Sequence, residues 1–332
     1  MRTLRILLAV ILVGGSAALI MSLANDETPA VGGQSEVFTS PEQCAKCHSE
    51  IAREVADSWH GQAFTDEDVL QLSKNFQDEQ CVSCHAPTPI FQIGVGERVF
   101  ARRERRHTGV DCLSCHLRED GTVAGSRGLT DAPCRPVVEK SLTRAVFCAG
   151  CHNQHWTVDE FMSWKAASGR PESCNSCHMG RVDRPIADGG PVRKNVATHR
   201  FEGGHELSMM QDGLRLEGDV SGRKLTMRVT NSGAGHKIPT DSRHKSVNLL
   251  LTVTDSDGNL LVKQEEIAEY RLYYRPQQIE PTQLLPGETR SHEYQLPADR
   301  RGTALIELVY LLKPPQKESK TWTLVHTLKV DF

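Results

Sequence analysis

The chain has 332 residues, enough for two domains. Hydrophobic residues make up 38% and aromatic residues only 5%, too few rings to fill large cores unaided. A formal charge of −3 excludes any role that rests on global attraction to nucleic acid.

Residues 1–24 have the parts of an export signal. Arg2 and Arg5 give a positive start, Leu4 to Leu23 is almost wholly apolar, and Ser22-Leu23-Ala24 is an acceptable cleavage site. The expectation is a cleaved signal, with a single N-terminal membrane anchor as the alternative. No Cys follows the apolar run, so a lipid anchor is not expected. Either way the rest of the chain is delivered to the periplasm or the cell exterior. Residues 25–40 are polar, with Pro29, Gly32 and Gly33, and read as a linker.

Thr39-Ser40-Pro41-Glu42 predicts a helix start: a hydroxyl cap, Pro at the first helical position and acid in the first turn. On that helix stands Cys44-Ala45-Lys46-Cys47-His48. The same Cys-x-x-Cys-His pattern returns at Cys81, Cys84 and His85, at Cys112, Cys115 and His116, at Cys148, Cys151 and His152, and at Cys174, Cys177 and His178. Two thiols at this spacing can form thioether bonds to the vinyl groups of one porphyrin, and the adjacent His can turn its ring onto the iron. The five copies use ten of the eleven cysteines. Zinc would need such half-sites in pairs, and disulfides would not need a His after each second Cys. Five covalent haems c are therefore expected, and they supply the apolar interior that the aromatic content lacks.

Each iron then needs a sixth ligand or a reason to lack one. Ile51, Val55 and Trp59 form an apolar stripe that ends at His60, a candidate distal ligand. Arg102 to Arg106 is a basic run, read as a solvated helix face that could also offset propionates or dock an acidic redox partner. His107 follows, only a short turn before Cys112, and is placed to reach a neighbouring haem. Residues 118–145 read as loop, and Cys134 within it as inert. His155 lies three residues after His152, which on a helix puts them on one face. It would serve an adjacent haem or hydrogen-bond a propionate. Phe161 and Trp164 read as haem-packing residues, and Met179 as packing rather than a ligand. After Pro185 the chain reads as loop up to His199 and His205, of which His199 is the preferred ligand.

From about Leu207 the pattern changes to period-two or short buried runs. Leu214–Leu216, Leu225–Val229, Val247–Val253 and Leu305–Leu312 read as strands. Ser221-Gly222, Asp257-Gly258, Pro286-Gly287 and Pro314-Pro315 read as turns. Asp255 to Asn259 superficially suggests calcium, but Leu260 stands where an EF-hand needs Gly, so a hairpin is expected. Seven or so strands suggest an all-β, antiparallel sandwich of immunoglobulin-like type. Within it Asn231 to Thr240 is a Gly-rich loop with His236 at its tip. The expectation is that this loop reaches back to the haem region with His236 as an axial ligand, His244 being a weaker candidate.

The five motifs, together with Ser58-Trp59-His60, the pattern from His107 to His116, and Cys174 to Met179 followed by His199-Arg200-Phe201, resemble multihaem c-type cytochromes of the cytochrome c-554 group. The resemblance covers about Ser40 to His205, and the β module looks like one attached to some members. It implies that most haems have two His ligands, lie in close pairs and carry electrons outside the cytoplasm. Distal positions transfer best to His60, His107 and His199, and less securely to His155, His205 and His236. Some relatives are enzymes acting on nitrite or hydroxylamine, certain of them with Lys in place of a motif His; all five motifs here end in His.

The expected organisation is a signal or anchor over 1–24, a linker over 25–40, a mainly α or irregular pentahaem domain over 41–206, and the sandwich over 207–332. The expected function is electron transfer between redox partners such as quinol-linked or soluble cytochromes, with docking through the sandwich. The alternative is a haem enzyme acting on a small nitrogen or sulfur compound at one five-coordinate iron.

Overall fold

The computed structural model describes residues 37–272, 280–312 and 322–332. The signal or anchor, most of the linker and the Pro314-Pro315 turn lie outside these residues. No helix among the described residues is long and apolar enough to cross a membrane. Residues from Glu36 onward form one unit.

The first part of that unit is a string of short helices: α1 (Pro41–Ala45), α2 (Ser49–Asp57), α3 (Glu67–Leu72), α4 (Glu79–His85), α5 (Ile90–Ile93), α6 (Cys112–His116), α7 (Ala149–His152), α8 (Thr157–Ser168) and α9 (Cys174–His178). Each Cys-x-x-Cys-His motif sits on or against one of these turns. Helices this short do not hold themselves in water, so their ends are fixed by side chains. The Gln43 side chain accepts from the Ser40 N–H at 3.1 Å. Asp78 accepts from the Gln80 N–H at 2.8 Å. Asp111 accepts from the Ser114 N–H at 3.0 Å, while the Ser114 hydroxyl accepts from the Asp111 N–H at 3.2 Å. The Ser176 hydroxyl accepts from the Ser173 N–H at 3.0 Å. These caps, reciprocal at α1, α6 and α9, satisfy N–H groups that would otherwise stay unpaired.

Residues 118–145 are mostly irregular, apart from the paired fragments β1 (Ala124–Gly125) and β2 (Val137–Val138), a 3₁₀ turn at Lys140–Thr143 and the start of another at Ala145–Cys148. The stretch after Pro185 differs from the loop expected there. It closes an antiparallel hairpin, β3 (Arg181–Pro185) with β4 (Val192–Ala197). Its strands are largely exposed and lack apolar alternation, so no periodicity announced them. The Arg102 to Arg106 run also differs from a solvated helix. Arg102 is 7% exposed and donates to the Pro87, Glu104, Arg105 and Gly109 carbonyls. With Arg105 it forms ion pairs to Asp111 at 3.3 and 2.6 Å. Arg102 and Arg105 therefore tie the turn before α6 to the cap of that helix, while Arg103 is exposed.

After helix α10 (Leu207–Gly213) the chain becomes β-rich: β5 (Leu214–Ser221), β6 (Lys224–Asn231), β7 (Ser246–Asp255), β8 (Leu260–Arg271), β9 (Thr289–Gln295), β10 (Gly302–Leu311) and β11 (Thr323–Asp331). They form two antiparallel sheets, in the orders β5-β6-β9 and β11-β10-β7-β8. Leu225, Met227 and Val229 of the first sheet share one buried cluster with Leu249, Leu251, Ile306 and Leu308 of the second. The run Val247–Leu251 is buried on both faces, and its one polar member, Asn248, is hydrogen-bonded to the Ser246 hydroxyl and to Glu266. Asp255 closes the β7–β8 turn by accepting from the Asp257 and Asn259 N–H groups at 3.1 and 2.8 Å, with Gly258 at φ +86°. That use of its carboxylate is a hairpin's.

Candidate functional site

The five motif histidines share one arrangement. Each engages a fixed oxygen through Nδ1: His48 the Ile186 carbonyl at 2.7 Å, His85 that of Ala63 at 2.6 Å, His116 that of Ala124 at 2.8 Å, and His178 that of Glu202 at 2.6 Å. His152 engages the Asp241 carboxylate instead, at 3.1 Å. A carbonyl can only accept, so Nδ1 carries the proton and Nε2 keeps its lone pair for a metal. Such a partner fixes the tautomer and the direction of a metal-binding ring.

Three of these rings are opposed by a second imidazole. The centroids lie 5.8 Å apart for His60 and His152, 6.3 Å for His116 and His199, and 6.2 Å for His178 and His236. With metal–nitrogen bonds of about 2.0 Å and a ring centroid about 1.1 Å beyond its ligating nitrogen, two imidazoles sharing one iron would stand about 6.2 Å apart. The spacing fits a shared iron between each pair, so the donor set suits haem c. Burial also keeps the opposing rings neutral, as ligation requires. Desolvation, then the neighbouring His152, push His60 down to about 3. Desolvation and His116 push His199 to about 4. Desolvation lowers His236, whose Nδ1 engages the Lys237 carbonyl at 2.9 Å. The His199 Nδ1 is buried without a hydrogen-bond partner of normal geometry.

Each opposing ring is held by structure distant in sequence. His60 is followed by the Gly61 turn, and its carbonyl accepts from the Val110 N–H at 2.8 Å. His199 donates its backbone N–H to Glu54 at 2.8 Å. Glu54 in turn takes a two-pronged ion pair from Arg184 at 2.7 and 2.8 Å, with both side chains under 8% exposed. Burial raises the Glu54 pKa, but Arg184 and the His199 N–H outweigh it and leave the group below its ordinary value. Phe201 touches both His60, at 4.3 Å, and His199, at 5.8 Å.

His236 arrives on the loop between β6 and β7. Asn231, fully buried, donates to the His236 and Leu284 carbonyls at 2.9 and 3.1 Å and closes the loop base. The loop then lies along α8. A Cβ on Gly235 would stand 2.5 Å from Trp164. Lys237 pairs with Glu160 at 3.0 Å, and the Thr157 and Thr240 hydroxyls meet at 2.7 Å. Phe161 and Trp164 thus pack against this loop as well as beside Cys174.

The other sequence candidates are placed differently. α7 stops at His152 with Asn153 as its cap, so His155 lies in the following turn and not on the same helical face. His107 sits exposed in a 3₁₀ turn, within electrostatic reach of Glu42 on α1. His205 stacks on Trp59 at 3.8 Å. Among the described residues no second imidazole opposes His48 or His85; the ring against His85 is Phe76, at 5.5 Å. Met179 and Cys134 are partly buried.

The motifs adjoin one another in a branched order. Cys44 lies by Cys112, Cys84 by Cys151, and Cys148 by Cys174. Cys115, whose thiol burial pushes up to about 12, is within electrostatic reach of Cys148 and Cys151. The fourth motif thus borders the second, third and fifth, and the third borders the first. Asp241, Glu54 and Arg184 were not singled out from the sequence, and nothing local marks them, since each acts on a residue far along the chain. Phe201 entered only as part of the His199-Arg200-Phe201 pattern.

Gly109 shows how tight this scaffold is. It holds φ +58° and ψ −133°, and a Cβ there would come 2.4 Å from the His60 carbonyl oxygen. Gly109→Ala is expected to cost about 1–3 kcal/mol from backbone conformation alone. It should also displace His60, read as a lower unfolding midpoint and a changed spectrum for one haem. An unaltered midpoint and spectrum would contradict this role.

Residues 43–117 match the family described as cytochrome c554 and c-prime. No curated protein matches the chain. A penta-haem cytochrome c552 from Thermochromatium tepidum is 20% identical and superposes with a TM-score of 0.66, over 89% of this chain and 99% of that one. A hypothetical protein from Pyrococcus horikoshii is 11% identical over 36% of this chain and 84% of its own, with a TM-score of 0.20, too low to carry an argument. The first of these matches spans too much of the chain to leave out the β-rich region, so that region belongs to the shared fold. In motifs, in the match over residues 43–117 and in fold, the chain resembles the multihaem c-type cytochromes, and among them the cytochrome c-554 group, with a C-terminal β-rich region.

Proposed function

We propose that this is an exported pentahaem cytochrome that carries electrons between redox partners. Haem c, when bound, supplies one-electron chemistry at iron with little change in geometry when both axial ligands are imidazoles. Ten cysteines, from Cys44 to Cys177, hold the five groups, and His48, His85, His116, His152 and His178 are the proximal ligands. The observation that carries the reading is the three pairs of opposed rings at iron-sharing distance. They support His60 as distal ligand to the His152 iron, His199 to the His116 iron, and His236 to the His178 iron.

His107, near Glu42 on α1, is proposed for the first motif. His155 is proposed for the second. Its neighbour Gln154 donates to the Cys84 sulfur at 3.5 Å, and Arg243 lies within electrostatic reach of both His155 and Cys81. His205, committed to Trp59, remains the least supported candidate. Close contact between motifs favours transfer from one haem to the next, and ligation by two His without Met favours low potentials.

We read the β-rich region as an immunoglobulin-like sandwich, on its three- and four-stranded sheets sharing one core. Export to the periplasm or exterior rests on residues 1–24. Partners are other redox proteins, quinol-linked or soluble cytochromes among them, with the sandwich available for docking. A second reading, a haem enzyme for a small nitrogen or sulfur compound, draws on His48 and His85, which no second imidazole opposes among the described residues.

Electron paramagnetic resonance of the as-isolated holoprotein, with its mass, separates these readings. Five added haems, all low-spin and indifferent to nitrite, hydroxylamine and carbon monoxide, are expected of the carrier. A high-spin ferric signal that responds to such ligands would turn the assignment toward the enzyme.

A further inference from the structure

We propose that Asp241 is a positioning and donor-tuning residue that gives the haem of the fourth motif the lowest potential of the five. This deepens the pentahaem reading and rests on it. Four motif rings give their Nδ1 proton to a neutral backbone carbonyl; His152 alone gives it to a carboxylate. An ionised acceptor makes the stronger hydrogen bond and shifts electron density through the ring onto Nε2. A more basic ligand favours ferric over ferrous iron, so the potential falls. The proton stays on Nδ1 between ring and carboxylate, and no bond is made or broken.

The placement is built rather than incidental. Asp241 holds φ +69°, in the left-handed region, which Asp adopts more readily than most non-glycine residues. The residues before it are pinned. Thr240 meets Thr157 at 2.7 Å, Gln283 donates to the Pro239 carbonyl at 2.7 Å, and Ile238 pairs with Leu284. Lys245 is the cation within reach of both Asp241 and His152, and it offsets part of the carboxylate's charge without replacing its hydrogen bond. The fourth motif borders three of the other four, so a low potential there makes the junction a step that electrons pass through and do not rest on.

The test is Asp241→Asn, which keeps an acceptor oxygen and removes the charge. The variant and wild-type holoproteins are first shown by mass to carry five haems, then titrated spectroelectrochemically with dithionite and ferricyanide. One reduction step, the lowest, should move to higher potential while four stay in place, and Asp241→Glu should restore it. Five unmoved steps would overturn the inference and leave the pentahaem reading standing. Fewer than five haems in the wild type would overturn that reading instead. If Asp241→Asn does not mature, the wild-type resonance spectrum decides. One low-spin signal with the smaller g spread of an imidazolate-like ligand supports the proposal, and five signals of the neutral-imidazole kind reject it.

Discussion

Arg184→Ala is expected to lower stability by about 3 kcal/mol, the low end of the range for breaking one side of a buried ion pair. The Glu54 carboxylate would stay behind, 7% exposed, with two of its hydrogen bonds gone. Arg200, 3.9 Å from Glu54 and mostly solvated, replaces only part of the lost charge. The effect is not confined to stability, because Glu54 also holds the backbone of His199. A carboxylate that drifts toward water takes the His199 ring out of line with His116. One low-spin haem signal should weaken as the unfolding midpoint in denaturant falls. A midpoint equal to that of the parent would show that the pair is not the anchor described here. A lowered midpoint with all signals intact would separate the anchor from the ring it positions.

His236→Ala should convert one haem in five from low-spin to high-spin and open it to carbon monoxide. His60→Ala and His199→Ala should each do the same to a different haem. The three effects should add, since the rings face different motif histidines. His205→Ala, which removes only the stack on Trp59, should leave every haem low-spin. Carbon monoxide titration counts the opened irons directly. No new high-spin signal in His236→Ala would remove the β6–β7 loop from the site.

The centres were legible in the sequence as far as covalent chemistry reaches. Cys-x-x-Cys-His is read on one turn, and the helix start at Ser40 was expected; the caps at Asp78, Asp111 and Ser173 were not singled out, although each adjoins the helix it starts. The strands of the buried sheet were equally plain, because Val247 to Leu251 and Leu308 to Leu311 are buried throughout. The exposed hairpin of β3 and β4 was not, since strands that bury little carry no period. Arg102 looked solvated because five neighbouring positions include four arginines, and only the three-dimensional turn shows which of them points inward. His155 was drawn onto the face of His152 by assuming a helix that in fact ends between them. Asp241 had no local signature, because its meaning depends on a ring 89 positions earlier.

The loop between β6 and β7 lies downstream of every attachment motif, yet its ring and its carboxylate reach the last two of them. During synthesis the ten motif cysteines emerge before His236 and Asp241. His152 and His178 therefore reach their final surroundings only when the C-terminal sheets have closed around the base of that loop.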